Sequence, residues 1–276
     1  MSNPHLNIAT EAARQAGDIA LRYRSRLEGI PVERKARHDY VSEVDRVCEQ
    51  AIRDYIGRYH RDHAILGEEG GHTGESDHVW IIDPIDGTSN YLRGIPHFAI
   101  SIALQIKGRI EAGVVYEPLR DEMFTASRGQ GAFLNSQRMR VSGRKELSTA
   151  VVATAFPFRQ RRLMEAYRAM FDSVFDKVED IRRAGTASLD LAYVACGRLD
   201  GYWELNLKPW DIAAGALLVQ EAGGVVMDVT GGDQWLESGH ILAAPFKLIT
   251  AMRAAIEPHV SESIKARVAG KIKTGK

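Results

Sequence analysis

The amino-acid sequence predicts a mixed α/β (α+β) protein, with helices and an antiparallel sheet in its first half and alternating strands and helices in its second. Three observations carry this. Apolar residues recur every three or four positions over most of the first sixty residues, the period of a helix face. From residue 98 the period drops to two, the period of a strand. From about residue 145 strand-like and helix-like segments alternate. The chain therefore divides into an N-terminal α+β part, 1–145, and a C-terminal α/β part, 146–276. No linker, repeat or low-complexity block lies between them, so the two are expected to pack tightly as one unit.

The elements follow in order. Ala9, Ala12, Ala13, Ala16, Ile19, Ala20, Tyr23 and Leu27 form one helical stripe, broken by Gly29 and Pro31. A second helix is expected over 41–59, with Val41, Val44, Cys48, Ala51, Ile52, Tyr55 and Tyr59 on its apolar face. A short apolar piece then ends in GEEGG (67–71), and the run Trp80-Ile81-Ile82 ends in Asp83. Phe98, Ile100, Ile102, Leu104 and Ile106 alternate with smaller or polar residues, which predicts a half-buried strand. Turns at 107–109 and 117–121 fold the next two strands into a meander, and 128–139 reads as a further hairpin. Gly129-Gln130-Gly131 lacks the third glycine and the following helix of a dinucleotide loop, so it reads as a turn. In the second half, strands are expected at 150–156, 200–205, 224–229 and 240–245. Helices are expected at 160–176, 187–197, 211–222 and from 246 to about 265.

Composition bounds the function. At 276 residues the chain has ample material for a core, and 45% apolar with 26% charged residues fits a globular protein. No apolar run approaches the roughly 18 residues of a membrane span. The N-terminus lacks a basic start followed by an apolar block, so a cytoplasmic location is expected. Lysine plus arginine equals aspartate plus glutamate at 36 each, which is not the footprint of a dedicated nucleic-acid binder. The basic clusters at 34–38, 159–162 and 271–276 read as solvated faces or ends. Cys48 and Cys196 have no partner at zinc-site spacing and read as inert core thiols. The nine histidines are scattered, and His97, close to the acidic loop, is the one to watch. There is no Walker loop, no G-x-S-x-G elbow and no H-E-x-x-H helix.

The acids carry the chemistry. Asp83 ends a strand, Pro84 fixes a backbone angle, and Asp86 is followed by Gly87, which permits a sharp turn. Two carboxylates folded toward one point repel, and a cation relieves them. Oxygen ligands without Cys or His favour a hard ion such as Mg²⁺. Each acid also has an ordinary reading. Asp86 fits a helix N-cap, Ser42-Glu43-Val44-Asp45 fits a capping box, and Asp211 fits a helix start. Glu68 and Glu69 lie in the glycine-flanked GEEGG.

Four stretches carry a resemblance: GEEGG (67–71), WIIDPIDGTSN (80–90), RRAGTASLDLAYVACGRLDGYWE (182–204) and WDIAAGALLVQEAGG (210–224). With them the chain resembles the inositol monophosphatase family, in particular its bacterial inositol-1-monophosphatase branch, in consistent order from about residue 5 to 260. The resemblance implies a layered α/β/α/β/α sandwich of the inositol monophosphatase and fructose-1,6-bisphosphatase type. Metal-binding loops would lie in the first part and substrate-side residues in the second. It implies two to three Mg²⁺ ions: one held by Glu68, Asp83 and the carbonyl of Ile85, a second by Asp83, Asp86 and Asp211, and a weaker third at Glu68. Thr88, hydrogen-bonded near Asp45, would orient or deprotonate a metal-activated water for in-line attack on a phosphate monoester, with Glu69 assisting. Amides of Gly87 and Thr88 would cradle the phosphate. Gly185, Thr186 and Ala187 would line the substrate side, and Glu204 would accept from ring hydroxyls. A cation near Lys35 would meet the anion, although 33–39 offers several. Release of myo-inositol, lithium inhibition and a homodimer are also implied.

Two alternatives stand beside this reading. The alcohol could be that of a fructose bisphosphate, a nucleotide bisphosphate or histidinol phosphate, which related proteins hydrolyse. Some bacterial members resembling this chain also join transcription antitermination complexes, so RNA or a transcription-complex protein is a further partner class.

Overall fold

The computed structural model describes residues 3–25, 32–36 and 39–270, without the side chains of 32–36 and 39–42. Helix α1 (Pro4–Arg24) begins where the Asn3 side chain accepts from the His5 N–H, with Pro4 in the first turn, where its missing donor costs nothing. Its buried face is Ala9, Ala12, Ala13, Ala16, Gly17 and Ala20, small residues that let it lie close to α2 (Glu43–Tyr59). The helix stops at Arg24, short of the stripe position Leu27, which lies outside the described residues. A short antiparallel pair, β1 (Val32–Ala36) and β2 (Asp39–Ser42), precedes α2.

The first large sheet comprises β3 (Ala64–Gly67), β4 (Gly71–Thr73), β5 (His78–Asp86), β6 (Ala99–Ile106), β7 (Arg109–Glu117), β8 (Glu122–Ser127), β9 (Gly131–Leu134) and β10 (Gln137–Arg138). Its order is β10-β9-β8-β7-β6-β5-β3-β4, with only β3 and β5 parallel. The short helix α3 (Thr88–Leu92) follows β5. The expected hairpin is β9–β10, turned by Asn135 and Ser136, both at positive φ.

β6 differs from its expected half-buried state: Ala99 to Leu104 are buried on both faces. The alternation there is large against small. Ile100, Ile102 and Leu104 join the core beneath α1 and α2, while Ala99 and Ala103 join a second core on the opposite face. Small residues on that face admit the helices behind it.

The second sheet is built from β11 (Val151–Thr154), β12 (Asp180–Arg182), β13 (Gly201–Glu204), β14 (Gly224–Met227) and β15 (Ile241–Pro245), in the order β12-β11-β13-β15-β14. Helices alternate with these strands: α4 (Met164–Phe175), α5 (Ala187–Ala195), α6 (Pro209–Glu221), α7 (Trp235–Ser238), α8 (Phe246–Ile256) and α9 (Glu262–Val268). α5 and α6 share a core with Ala99 and Ala103 of the first sheet and with Tyr202 and Ala243 of the second. The other face of the second sheet packs on α4 and α8 through Trp203, Leu242, Met170 and Met252. Read in order, the layers are α1/α2, sheet, α5/α6, sheet, α4/α8, an α/β/α/β/α sandwich. No helix among the described residues is long and apolar enough to cross a membrane.

Candidate active site

The pocket opens at the carboxyl ends of β5 and β13, where α5 and α6 begin. Residues three apart on a regular strand face opposite sides. Asp83 and Asp86 nevertheless line one pocket, because β5 carries a bulge between them: Asp83 pairs with Ser101 and Asp86 with Ala99, so two residues on β5 oppose one on β6. The bulge contains Pro84, which has no N–H to give the ladder. The Ile85 N–H turns back to the Asp83 carboxylate at 3.1 Å. β3 runs parallel beside β5, and the Glu68 N–H donates to the Ile82 carbonyl, which sets Glu68 next to Asp83. Asp211 lies in the first turn of α6, where its carboxylate accepts from the Lys208 N–H at 2.7 Å. The ordinary capping reading of Asp211 is thus true of the fold, and the same side chain also lines the pocket.

Asp86 behaves similarly, but on an unexpected helix. Gly87, not Asp86, is the N-cap of α3, and its side-chain-free position provides no cap bond. The Asp86 carboxylate instead accepts from the Ser188 N–H, 2.7 Å away in the first turn of α5 and 102 positions along the chain. An anion at a helix start is favourable, and a charge-assisted bond of this kind contributes about 1.5–3 kcal/mol.

Asp45, on α2, is wholly buried and accepts from the Thr88 hydroxyl at 3.0 Å; the Ile85 carbonyl is equally near that hydroxyl. Gly87 has φ +91°, and a Cβ there would lie 2.5 Å from Thr186 Oγ1. Glycine therefore answers both a left-handed backbone and a close approach from the start of α5. Thr186 in turn donates to the His97 carbonyl at 3.2 Å.

The GEEGG turn is held from behind by a residue that the sequence reading missed. Glu49, 2% exposed on α2, accepts from the Glu69 N–H at 2.7 Å, the Gly70 N–H at 2.8 Å and Arg53 Nε at 2.8 Å. Arg53 also donates to the Gly71 carbonyl and to Thr73 Oγ1, both at 2.9 Å. A Cβ on Gly67 would lie 2.3 Å from Glu49 Oε1, so the glycine there makes room for this carboxylate. The available signal was an acid one turn after Asp45, inside the buried stripe of Val44, Cys48 and Ile52.

The electrostatics are those of a cation site. Burial pushes the Asp83 carboxyl well above its ordinary range, and Glu68, Asp86, Asp211 and Asp45 push it further. Asp86 is raised to about 7 by burial and by Asp211, against the opposing bond from Ser188. Converging carboxylates with only oxygen donors suit a hard divalent ion, so the donor set fits Mg²⁺. On the opposite wall Glu204 is raised to about 8, chiefly by burial, while the Tyr202 hydroxyl donates to it. Arg159, an exposed member of the 159–162 basic cluster, and Arg183, in the 182–204 stretch, also line the pocket.

Among the expected site residues, Glu68, Asp83, Ile85, Asp86 and Asp211 line the acidic side, and Gly87 and Thr88 its floor. Gly185, Ala187 and Glu204 line the facing wall. Asp45 and Thr186 are buried behind that surface, and Glu69 is half-buried in the GEEGG turn. Lys35 is on β1, and its side chain lies outside the described residues, as does the basic stretch 271–276. The His97 ring packs edge-on to Tyr193, so only its carbonyl meets the site. Cys48 is buried and Cys196 half-buried, both free thiols whose pKa burial raises.

Comparison with known proteins places the chain among relatives of known family. A family model described as the inositol monophosphatase family matches residues 1–264. The Nus factor SuhB of Pseudomonas aeruginosa is 53% identical over 268 residues, 95% of this chain and 99% of that one. The crystal structure of extragenic suppressor protein suhB from Bartonella henselae matches with a TM-score of 0.90 and 42% identity, covering 92% of this chain and 99% of that one. The structure of an inositol monophosphatase from Anabaena matches with a TM-score of 0.83 and 36% identity, covering 92% and 95% respectively.

Proposed function

The chain belongs to the inositol monophosphatase family, and from that premise we propose that it is a Mg²⁺-dependent phosphate monoester hydrolase acting on inositol monophosphate. One observation carries the reading: Asp83 and Asp86 of β5, Glu68 after β3 and Asp211 of α6 line one pocket whose floor is Thr88. Glu68, Asp83 and the Ile85 carbonyl would hold one ion, and Asp83, Asp86 and Asp211 a second, with a weaker third at Glu68. When bound, such ions neutralise phosphoryl charge and make water acidic enough to attack near neutral pH.

The chain's own groups do the rest. Thr88 donates its proton to buried Asp45 or to the Ile85 carbonyl, so its lone pairs remain to accept from a water and orient it. Asp45 fixes that rotamer, and Glu69, in the GEEGG turn beside Glu68, would assist. The Gly87 and Thr88 amides, at the turn into α3, are donors for phosphate oxygens. Glu204 accepts from hydroxyls of the alcohol, while Gly185 and Ala187 keep that wall shallow. A cavity of about 200 Å³ is below the span of drug-sized pockets, roughly 300–1,000 Å³, which favours a compact monoester over a nucleotide bisphosphate.

The test is phosphate release from a panel of monoesters: inositol phosphates, fructose bisphosphate, a nucleotide bisphosphate, histidinol phosphate and an aryl phosphate. The panel is run with Mg²⁺, with a chelator, and with lithium as competitor. Inositol monophosphate should lead, with chelator and lithium both inhibiting; release that ignores the chelator would remove the reading. A second reading is favoured by the 53% identical relative, whose name is that of a Nus factor. On it, the same fold also docks in a transcription complex, and a gel shift with leader RNA checks this. Sedimentation would show whether the chain is a homodimer.

A further inference from the structure

Histidines that are scattered in the sequence gather far from the pocket. His5 lies in the first turn of α1, His60 and His63 between α2 and β3, and His78 at the start of β5. The His60 and His63 rings stack 4.2 Å apart, His63 and His78 lie 4.6 Å apart, and His5 and His60 lie 4.9 Å apart. Asp62 adds a carboxylate: one ligand atom from each of His60, Asp62 and His63 lies within 4.8 Å of the other two. His78 and Asp86 are opposite ends of β5, so this cluster is roughly 25 Å from the acidic pocket at about 3.3 Å per residue.

One feature marks the cluster as more than packed rings. His5 Nδ1 and His60 Nε2 are buried with no hydrogen-bond partner, a state that costs free energy unless something supplies one.

We propose that His60, Asp62 and His63, with His5 as the adjacent imidazole, form a second divalent-cation site, of the zinc class, tying α1 to the α2–β3 turn. Nitrogen-rich ligation of this type selects borderline first-row ions over Mg²⁺, which sets it apart from the all-oxygen pocket. The site has a built-in reporter. The Trp80 indole N–H donates to His63 Nδ1 at 3.0 Å. An ion on His63 Nε2 leaves the ring proton on Nδ1, and an ion on Nδ1 takes its lone pair; both remove the acceptor from Trp80. The parallel His60–His63 stack must also splay, because lone pairs in parallel planes do not meet at one ion.

The test is Co²⁺ titration of the full chain with saturating Mg²⁺ holding the acidic pocket, followed by visible absorption. Indole N–H resonances are then recorded with and without Zn²⁺. Wild type should take up one Co²⁺ and shift one indole resonance. Asp62→Asn and His60→Gln should each weaken uptake by at least about tenfold and abolish the shift, while His72→Gln, outside the cluster, changes neither. Asp62 is exposed, so its replacement leaves folding intact. Absence of Co²⁺ uptake in Mg²⁺, or uptake that Asp62→Asn and His60→Gln leave unchanged, would overturn the proposal.

Discussion

Thr88 Oγ1 lies 3.0 Å from Asp45 Oδ1, a bond between the first residue of α3 and the buried acid in the first turn of α2, 43 positions earlier. Removing the hydroxyl should leave the acids and their ions in place and lose only the oriented water. Thr88→Ala is expected to lower kcat by about 10²–10⁴-fold, the range of positioned proton-transfer groups, with Mg²⁺ affinity nearly unchanged. Thr88→Ser should recover most of the rate. Steady-state kinetics beside calorimetric Mg²⁺ titration separates the two quantities, and an unaltered kcat in Thr88→Ala would exclude this role.

Asp83 is the most crowded carboxyl in the pocket, and its position is set by the β5 bulge. Asp83→Asn can still accept from the Ile85 N–H, so the turn should hold. We expect loss of Mg²⁺-dependent phosphate release by several orders of magnitude. The metal-free variant should melt above the metal-free wild type, because a repelled buried acid is gone. Calorimetry with and without Mg²⁺ checks both, and a variant that Mg²⁺ stabilises as much as wild type would refute the shared-ligand assignment.

Glu49 satisfies two amides of the GEEGG turn and pairs with Arg53, whose side chain is 13% exposed. Glu49→Ala leaves a largely buried guanidinium and two amides without this partner, a loss of about 3–5 kcal/mol by analogy with broken buried pairs. Glu49→Gln keeps an acceptor and should fold. The turn it supports would be looser, so this variant should need more Mg²⁺ for half-maximal activity at a similar limiting kcat.

Glu204 gives a pH signature. Its folded pKa, about 8, is above the ordinary 4.5 of an unfolded chain. The folded state therefore binds the proton more tightly, and the resulting stability is present below about 4.5 and lost as pH rises through about 8. Glu204→Gln removes this dependence. The variant should gain on wild type by a few degrees of Tm between pH 5 and pH 8.5, read by thermal melts at each pH, and parallel curves would contradict the shift. In kinetics the same variant should raise KM for inositol phosphate more than for an aryl phosphate.

Periodicity made the helices and the meander legible, because Ala9 to Tyr23 and Phe98 to Tyr116 repeat at the spacings their burial requires. It could not tell a half-buried strand from β6, whose alanines are small because helices press on them. The acid loops were legible as motifs, but the bulge that aims Asp83 and Asp86 together depends on pairing with β6. Glu49 was masked by its place in an apolar stripe. The histidine cluster was read as scatter because its members lie up to 73 positions apart and meet only when α1 docks beside β5.

Asp86 couples the two sides of the pocket. On the proposed assignment, the side chain that would grip a cation also anchors the start of α5, whose preceding residues would form the alcohol-facing wall. Cation loading and wall position would then be one mechanical variable: an exchange at Asp86 should not retune ion preference while leaving alcohol selectivity alone. Redesign of substrate range has a freer starting point at Glu204, whose hydrogen bond is to a neighbour on its own strand rather than to a helix across the cleft.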